Sequence, residues 1–129
     1  MKQAGIKVLI VDDEVALANT LAQRLKMRDL QVETVYNGEE ALSRLMQEEP
    51  DVMVLDLRMP GMQGMEVLKE VKKTHSHIQV IILTGHGTDK EEEEAKMLGG
   101  FGFLKKPADI ETLADKIKDA FREKCTRTP

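Results

Sequence analysis

Val52–Pro60, V-M-V-L-D-L-R-M-P, is the part of the chain from which the rest of the architecture can be read. Four apolar residues, Val52 to Leu55, run straight into Asp56, and Pro60-Gly61 follows. An unbroken apolar run of this length predicts a strand covered on both faces. Proline fixes φ and removes a backbone donor, so the strand is over by Pro60. Asp56 therefore sits at the carboxyl end of a central strand. In an open parallel sheet, that edge is where ligands and chemistry gather.

The rest of the chain supplies the sheet. Lys7–Val11 (K-V-L-I-V) reads as a first strand and ends in Asp12-Asp13-Glu14. Val15–Arg28 keeps helical spacing at Ala18, Leu21 and Leu25. Gln31–Tyr36 alternates and reads as strand two; Asn37 then caps a helix whose apolar face is Ala41, Leu42, Leu45 and Met46. Beyond the loop Pro60–Gly64, Met65, Leu68 and Val71 mark a third helix ending near Thr74. Val80–Leu83 is a fourth strand and delivers Thr84 to its end. Thr88–Leu98 is a short helix carrying Glu91 to Glu94 in succession, stopped by Gly99-Gly100. Phe101–Leu104 is strand five, followed by Lys105-Lys106-Pro107. The last helix, from Asp109 to Lys124, carries Ile110, Leu113, Ile117 and Phe121 on one face.

This is (βα) five times over. It predicts an α/β fold, a doubly wound five-stranded parallel sheet covered on both faces, with right-handed crossovers. No linker divides it, so residues 1–129 are expected to form one domain. Residues 1–5 are a short extension, and 125–129 a tail or the start of a linker.

Composition narrows the function. Net charge is −4, which speaks against nucleic-acid binding by this domain, since that needs a basic footprint. The one cysteine, Cys125, cannot form an internal disulfide, which fits a reducing, cytoplasmic setting. No apolar segment is long enough to span a bilayer, and the start lacks a signal-peptide apolar region.

Parallel strands all end on one edge, so residues far apart in sequence converge there. Strand one delivers Asp12 and Asp13, strand three Asp56, strand four Thr84 and strand five Lys106. Each close carboxylate pair, at about 4 Å and near-surface dielectric, costs about 4 kcal/mol. Lys106 offsets part of this, and hard oxygen ligands with room for water also describe a Mg²⁺ site. With that charge neutralised, a phosphoryl group can approach Asp56, and a carboxylate nucleophile yields an aspartyl phosphate. Thr84 is placed to hydrogen-bond a phosphoryl oxygen.

Four motifs carry a resemblance: V-D-D at 11–13, D-L-R-M-P-G at 56–61, L-T-G-H-G at 83–87 and F-L-K-K-P at 103–107. In this order, each at a predicted strand end, they make the chain resemble the receiver (response-regulator) domain of two-component signal transduction over almost all its length. The resemblance implies the flavodoxin-like strand order 2-1-3-4-5. It implies that Asp56 accepts a phosphoryl group from a sensor histidine kinase, with self-catalysed, Mg²⁺- or Mn²⁺-dependent phosphorylation and dephosphorylation. Asp13, Asp56 and the backbone carbonyl of Arg58 would bind the metal directly, and Asp12 through a coordinated water. Lys106 would contact the phosphoryl group, and its bond to Pro107 would be cis. Thr84 and Phe103 would form the switch, with Phe103 standing where many members carry Tyr. The output face would be helix four, strand five and helix five. That face would meet a downstream output domain or effector, or a second copy in a phosphorylation-dependent homodimer.

Rival readings attach to the same residues. Asp12-Asp13 could merely cap the following helix, Lys106 could be a surface lysine, and the glutamate run a solvated helix face. His86 has two readings, lining the site or passive in the loop. Met59, Met62 and Met65 read as gap fillers. The alternative function is a metal-dependent phosphohydrolase or mutase with an aspartyl-phosphate intermediate. Such enzymes typically need an acid two residues after the nucleophile, where this chain has Arg58. A flavin carrier would want a hydroxyl-rich loop after strand one, where this chain has Asp-Asp-Glu.

Overall fold

A computed structural model describes residues 5–127. Its elements are β1 (Ile6–Val11), α1 (Val15–Lys26), β2 (Leu30–Val35), α2 (Gly38–Gln47) and β3 (Val52–Leu55), then α3 (Gly64–Thr74), β4 (Gln79–Thr84), α4 (Asp89–Met97), β5 (Gly102–Lys105) and α5 (Ile110–Arg127). The five strands are parallel in the order β2-β1-β3-β4-β5. This is the doubly wound sheet that the alternation of elements predicts.

β3 shows why its sequence reads as continuous rather than alternating. All four residues are buried, because both sides of the strand face a core. Val52 and Val54 join α1 and α5 in one cluster, through Ala18, Leu21, Leu25, Leu113 and Ile117. Met53 and Leu55 join α2, α3 and α4 in the other, through Ala41, Leu45, Val67, Leu68, Val71 and Ala95. Met59 is buried in that second cluster, with Met62 and Met65 packed against it, consistent with flexible thioethers filling gaps.

Element ends differ from expectation by one to three residues. α1 stops at Lys26 rather than Arg28, because Asp29 takes a left-handed turn (φ 66°). β2 runs Leu30–Val35, and the Tyr36 N–H instead donates to the Glu40 carboxylate at 3.0 Å. Asn37 caps α2 as expected, accepting from the Glu40 N–H at 2.8 Å. Met46 is not on the apolar face of α2: it is 80% exposed. α5 continues past Lys124 to Arg127, so Cys125 is helical and exposed. The ends of the expected extension and tail, residues 1–4 and 128–129, lie outside the described residues. Among the described residues, no helix is long and apolar enough to cross a membrane.

Candidate functional site

Strand register builds the site. Val11 stands opposite Leu55, so Asp12 and Asp56 come next on adjacent strands. The Asp56 N–H donates to the Val11 carbonyl at 3.0 Å, and the Asp12 N–H to the Val35 carbonyl at 3.2 Å. Both side chains are buried, while Asp13 is half-buried. One oxygen from each of Asp12, Asp13 and Asp56 lies within 4.8 Å of the others. From the next strands, the Lys106 N–H donates to the Thr84 carbonyl at 2.9 Å, and the bond to Pro107 is cis. Lys105 beside it is exposed.

The Lys106 ammonium does not sit closest to the central acid. It lies 2.6 Å from Glu14, 2.8 Å from Asp12 and 3.3 Å from Asp56. Asp12 spends its other oxygen on the Glu14 N–H, at 2.9 Å. It thus serves the start of α1 and the site together. Both hydrogen bonds to the Asp56 carboxylate are long, 3.3 Å from Lys106 and 3.4 Å from the Arg58 N–H. Its lone pairs are the least engaged of the two buried acids, as a nucleophile requires.

Electrostatics leave the crevice short of positive charge. Burial pushes the Asp12 carboxyl above its ordinary value, against the bonds from Lys106 and the Glu14 N–H. Burial pulls Lys106 down, but hydrogen bonds to Asp12 and Glu14 and the charges of Asp12 and Asp56 outweigh it. The net direction for Lys106 is well above the ordinary lysine range. The Lys106 hydrogen bond holds Glu14 below its ordinary value. One ammonium thus faces four carboxylates, Asp12, Asp13, Glu14 and Asp56. A cluster of hard oxygen donors with excess negative charge fits a divalent cation.

Thr84 ends β4 and is wholly buried. Among the described residues, its hydroxyl is a buried side-chain oxygen with no hydrogen-bond partner. Leaving such a group unpaired costs about 1–3 kcal/mol. Phe103, half-buried in β5, packs on the second core cluster. A Cβ at Gly87 would overlap the Phe103 ring and stand 2.9 Å from Thr84 Cγ2. The ring therefore lies on bare backbone beside Thr84, a fit that only glycine at 87 permits.

Two contributors, Glu14 and Gly64, are not singled out by sequence, and a third, Glu91, stands out there only as part of the glutamate run. Glu14 follows the acid pair directly, but nothing in its spacing says that it reaches Lys106. Gly64 starts α3 so close to β3 that a Cβ would overlap the Asp56 carbonyl oxygen. Glu91 lies three residues after Thr88, a readable capping box, and the Thr88 hydroxyl accepts its N–H at 3.1 Å. Its carboxylate also takes the Arg58 guanidinium at 2.9 Å. Glu91 is thus not simply part of a solvated face. His86 is exposed, and its backbone carbonyl accepts from Arg58 at 3.4 Å. A separate cavity of about 380 Å³, lined by Lys7, Leu30, Glu48 and Pro50 among others, holds none of the strand-end acids. The candidate chemistry sits in a crevice at the sheet edge instead.

Comparison with known proteins agrees with this geometry. A family model described as "Response regulator receiver domain" matches residues 8–118. The chain is 37% identical over 112 residues to sporulation initiation phosphotransferase F of Bacillus subtilis, covering 87% of this chain and 90% of that protein. It is 39% identical over 118 residues to the DNA-binding transcriptional regulator NtrC of Salmonella typhimurium, covering 92% of this chain but 25% of that protein. Its backbone is similar to a CheY-like response regulator receiver domain protein from Methanospirillum hungatei. There the TM-score is 0.90 at 25% identity, over 95% of this chain and 98% of that one.

Proposed function

This chain belongs to the response regulator receiver domain family, and on that premise we propose that Asp56 is its phosphoacceptor. Phosphorylation-activated signalling is the function of the module. The phosphohydrolase alternative is not favoured, because the place of its general acid is taken by Arg58, bonded to Glu91.

The observation that carries the residue-level reading is the convergence on one edge. Asp56 is buried, its oxygens are weakly engaged, and the Asp12–Asp13 pair, Lys106 and an unpartnered Thr84 hydroxyl surround it. An Asp56 oxygen attacks the phosphorus of a phosphohistidine on a sensor histidine kinase. The new P–O bond forms as the P–N bond breaks, and the electron pair returns to the imidazole nitrogen. Lys106 stabilises charge on the phosphoryl oxygens. Asp13, Asp56 and the Arg58 backbone carbonyl would hold a Mg²⁺ or Mn²⁺ ion directly and Asp12 through an intervening water; the bound ion supplies further positive charge. Water attack on the same phosphorus reverses the modification, so the chain catalyses only its own phosphorylation and dephosphorylation.

The signal leaves through Thr84. Its hydroxyl gains the phosphoryl oxygen as its missing partner, and Phe103 follows into the space beside it. The surface of α4, β5 and α5 then presents the change to an output domain, an effector or a second copy. Residues 1–129 act as one domain in the cytoplasm, without contacting nucleic acid themselves.

A small phosphodonor with Mg²⁺ is expected to give one acid-stable, base-labile adduct, absent in Asp56→Asn. An adduct that persists in that variant sinks the assignment. Lys106→Ala is expected to be phosphorylated but to show a blunted conformational response; a normal response removes the lysine from the site.

A further inference from the structure

We propose that Arg58 is a latch with two positions, on Glu91 at rest and on the phosphoryl group after modification of Asp56, with Glu91 the positioning residue that holds it at rest. The proposal rests on Asp56 being the phosphoacceptor.

The geometry of the resting position is direct. The Arg58 backbone N–H points at the Asp56 carboxylate (3.4 Å), while its guanidinium crosses to the β4–α4 side. There it donates to the His86 carbonyl at 3.4 Å and to Glu91 Oε1 at 2.9 Å. The arm thus spans from the end of β3 to the loop after β4, the two strand ends between which a phosphoryl group must lie. The same Glu91 oxygen accepts from the Thr88 N–H at 3.1 Å. One carboxylate therefore closes the first turn of α4 and ties that turn to the phosphoacceptor loop.

Two physical arguments make the tie reversible. α4 is weakly anchored, since Ala95 is its sole buried residue. A single cross-element ion pair is then a large share of what fixes the position of its first turn. A phosphoryl group, in contrast, offers about two negative charges and several acceptor oxygens, against one carboxylate. It also suits the planar guanidinium fork better than a shared Oε1 does. A phosphoryl group on Asp56 therefore competes for Arg58, and its success frees Glu91 and the start of α4. The Arg58 side chain is 49% exposed and that of Glu91 21%, so the arm can swing without opening the core.

The test uses the full chain as wild type, Glu91→Gln, Arg58→Ala and the double variant. Glutamine retains the capping box but loses the charge that holds Arg58. Amide hydrogen exchange over residues 89–97 is measured before and after treatment with acetyl phosphate and Mg²⁺, and intact mass reports the phosphoryl adduct separately. Before treatment, Glu91→Gln is expected to exchange about threefold faster than wild type, the scale of one partly exposed ion pair. Phosphorylation is expected to accelerate wild type similarly, and to add little in Glu91→Gln. In the Arg58→Ala background, Glu91→Gln is expected to change nothing further. A role in capping alone predicts the same Glu91→Gln effect with or without Arg58, and that result overturns the latch. So does an unchanged exchange rate in Glu91→Gln, or an equal phosphorylation response in Glu91→Gln and wild type. A wild type that gains no phosphoryl mass overturns the assignment of Asp56, and with it the second position of the arm. The resting tie is judged independently by the untreated samples.

Discussion

α3 and α4 begin alike and are held differently. Each follows a strand that delivers a site residue, Asp56 before α3 and Thr84 before α4. In each, a glutamate in the first turn reaches back to the N–H of the capping residue, Glu66 to Gln63 at 3.2 Å and Glu91 to Thr88 at 3.1 Å. α3 then buries Gly64, Val67, Leu68 and Val71, while α4 buries only Ala95. The helix behind Asp56 is thus welded to the sheet. The helix behind Thr84 rests on it through few contacts. Elements that move on signalling come from the weakly packed end of a structure, and this pair shows both ends on one face of one sheet.

Unfolding measurements can break that contrast most directly. Leu68→Ala in α3 is expected to cost about 3 kcal/mol, the scale of a large-to-small change in a filled core. Met97→Ala, on the exposed side of α4, is expected to stay within about 0.5 kcal/mol. Equal losses in urea titrations would erase the distinction between the helices. Gly64→Ala comes next, at about 2 kcal/mol, because the new methyl meets the Asp56 backbone rather than a movable side chain. Wild-type stability in that variant would mean that α3 is not pinned there.

Thr84→Val sharpens the other half. Replacing an unpartnered buried hydroxyl with a methyl is expected to stabilise the unphosphorylated chain by about 1 kcal/mol. The same variant should lose the structural response to acetyl phosphate. Destabilisation by a similar amount would show that the hydroxyl has a partner at rest.

The smallest expected effect is a pH dependence. The Asp12 carboxyl is raised above 3.8 by burial, so the folded chain holds that proton more tightly than the unfolded chain. Its contribution to stability is then greatest in acid and is lost as pH rises from about 3.8 through the folded value. With a chelator present, Asp12→Asn should gain on wild type across that window and hold its gain above it. Thermal unfolding of both proteins from pH 4 to 7 checks this; a gap that shrinks with rising pH contradicts it.

Much of this was legible in residues alone, and the reason is periodicity. Apolar runs such as Val52–Leu55 and Val80–Leu83, short, β-branched and bounded by polar turns, read as strands covered on both sides, and interleaved helical spacing makes the sheet parallel. Once the sheet is parallel, chain direction alone sends Asp12, Asp13, Asp56, Thr84 and Lys106 to one edge. Glycine contacts were less readable. Gly64 and Gly87 look like loop residues, and their importance lies in what a Cβ would strike, namely Asp56 backbone and the Phe103 ring. Met46 misled because it follows Leu45 and Leu42 at helical spacing, yet the packed face of α2 is Ala41, Leu42 and Leu45 and Met46 stands in solvent.

The fold, the edge and the set of acids, hydroxyl and lysine that meet there follow from short-range pattern and chain direction, and both are written in the residues. How they pair is settled only in the folded chain. Lys106 leans on Glu14, 92 positions away, and Arg58 reaches Glu91, 33 positions away. No periodicity encodes such distances. They depend on side-chain conformations and on the spacing between packed elements, which exist only once the sheet and both helical layers are in place.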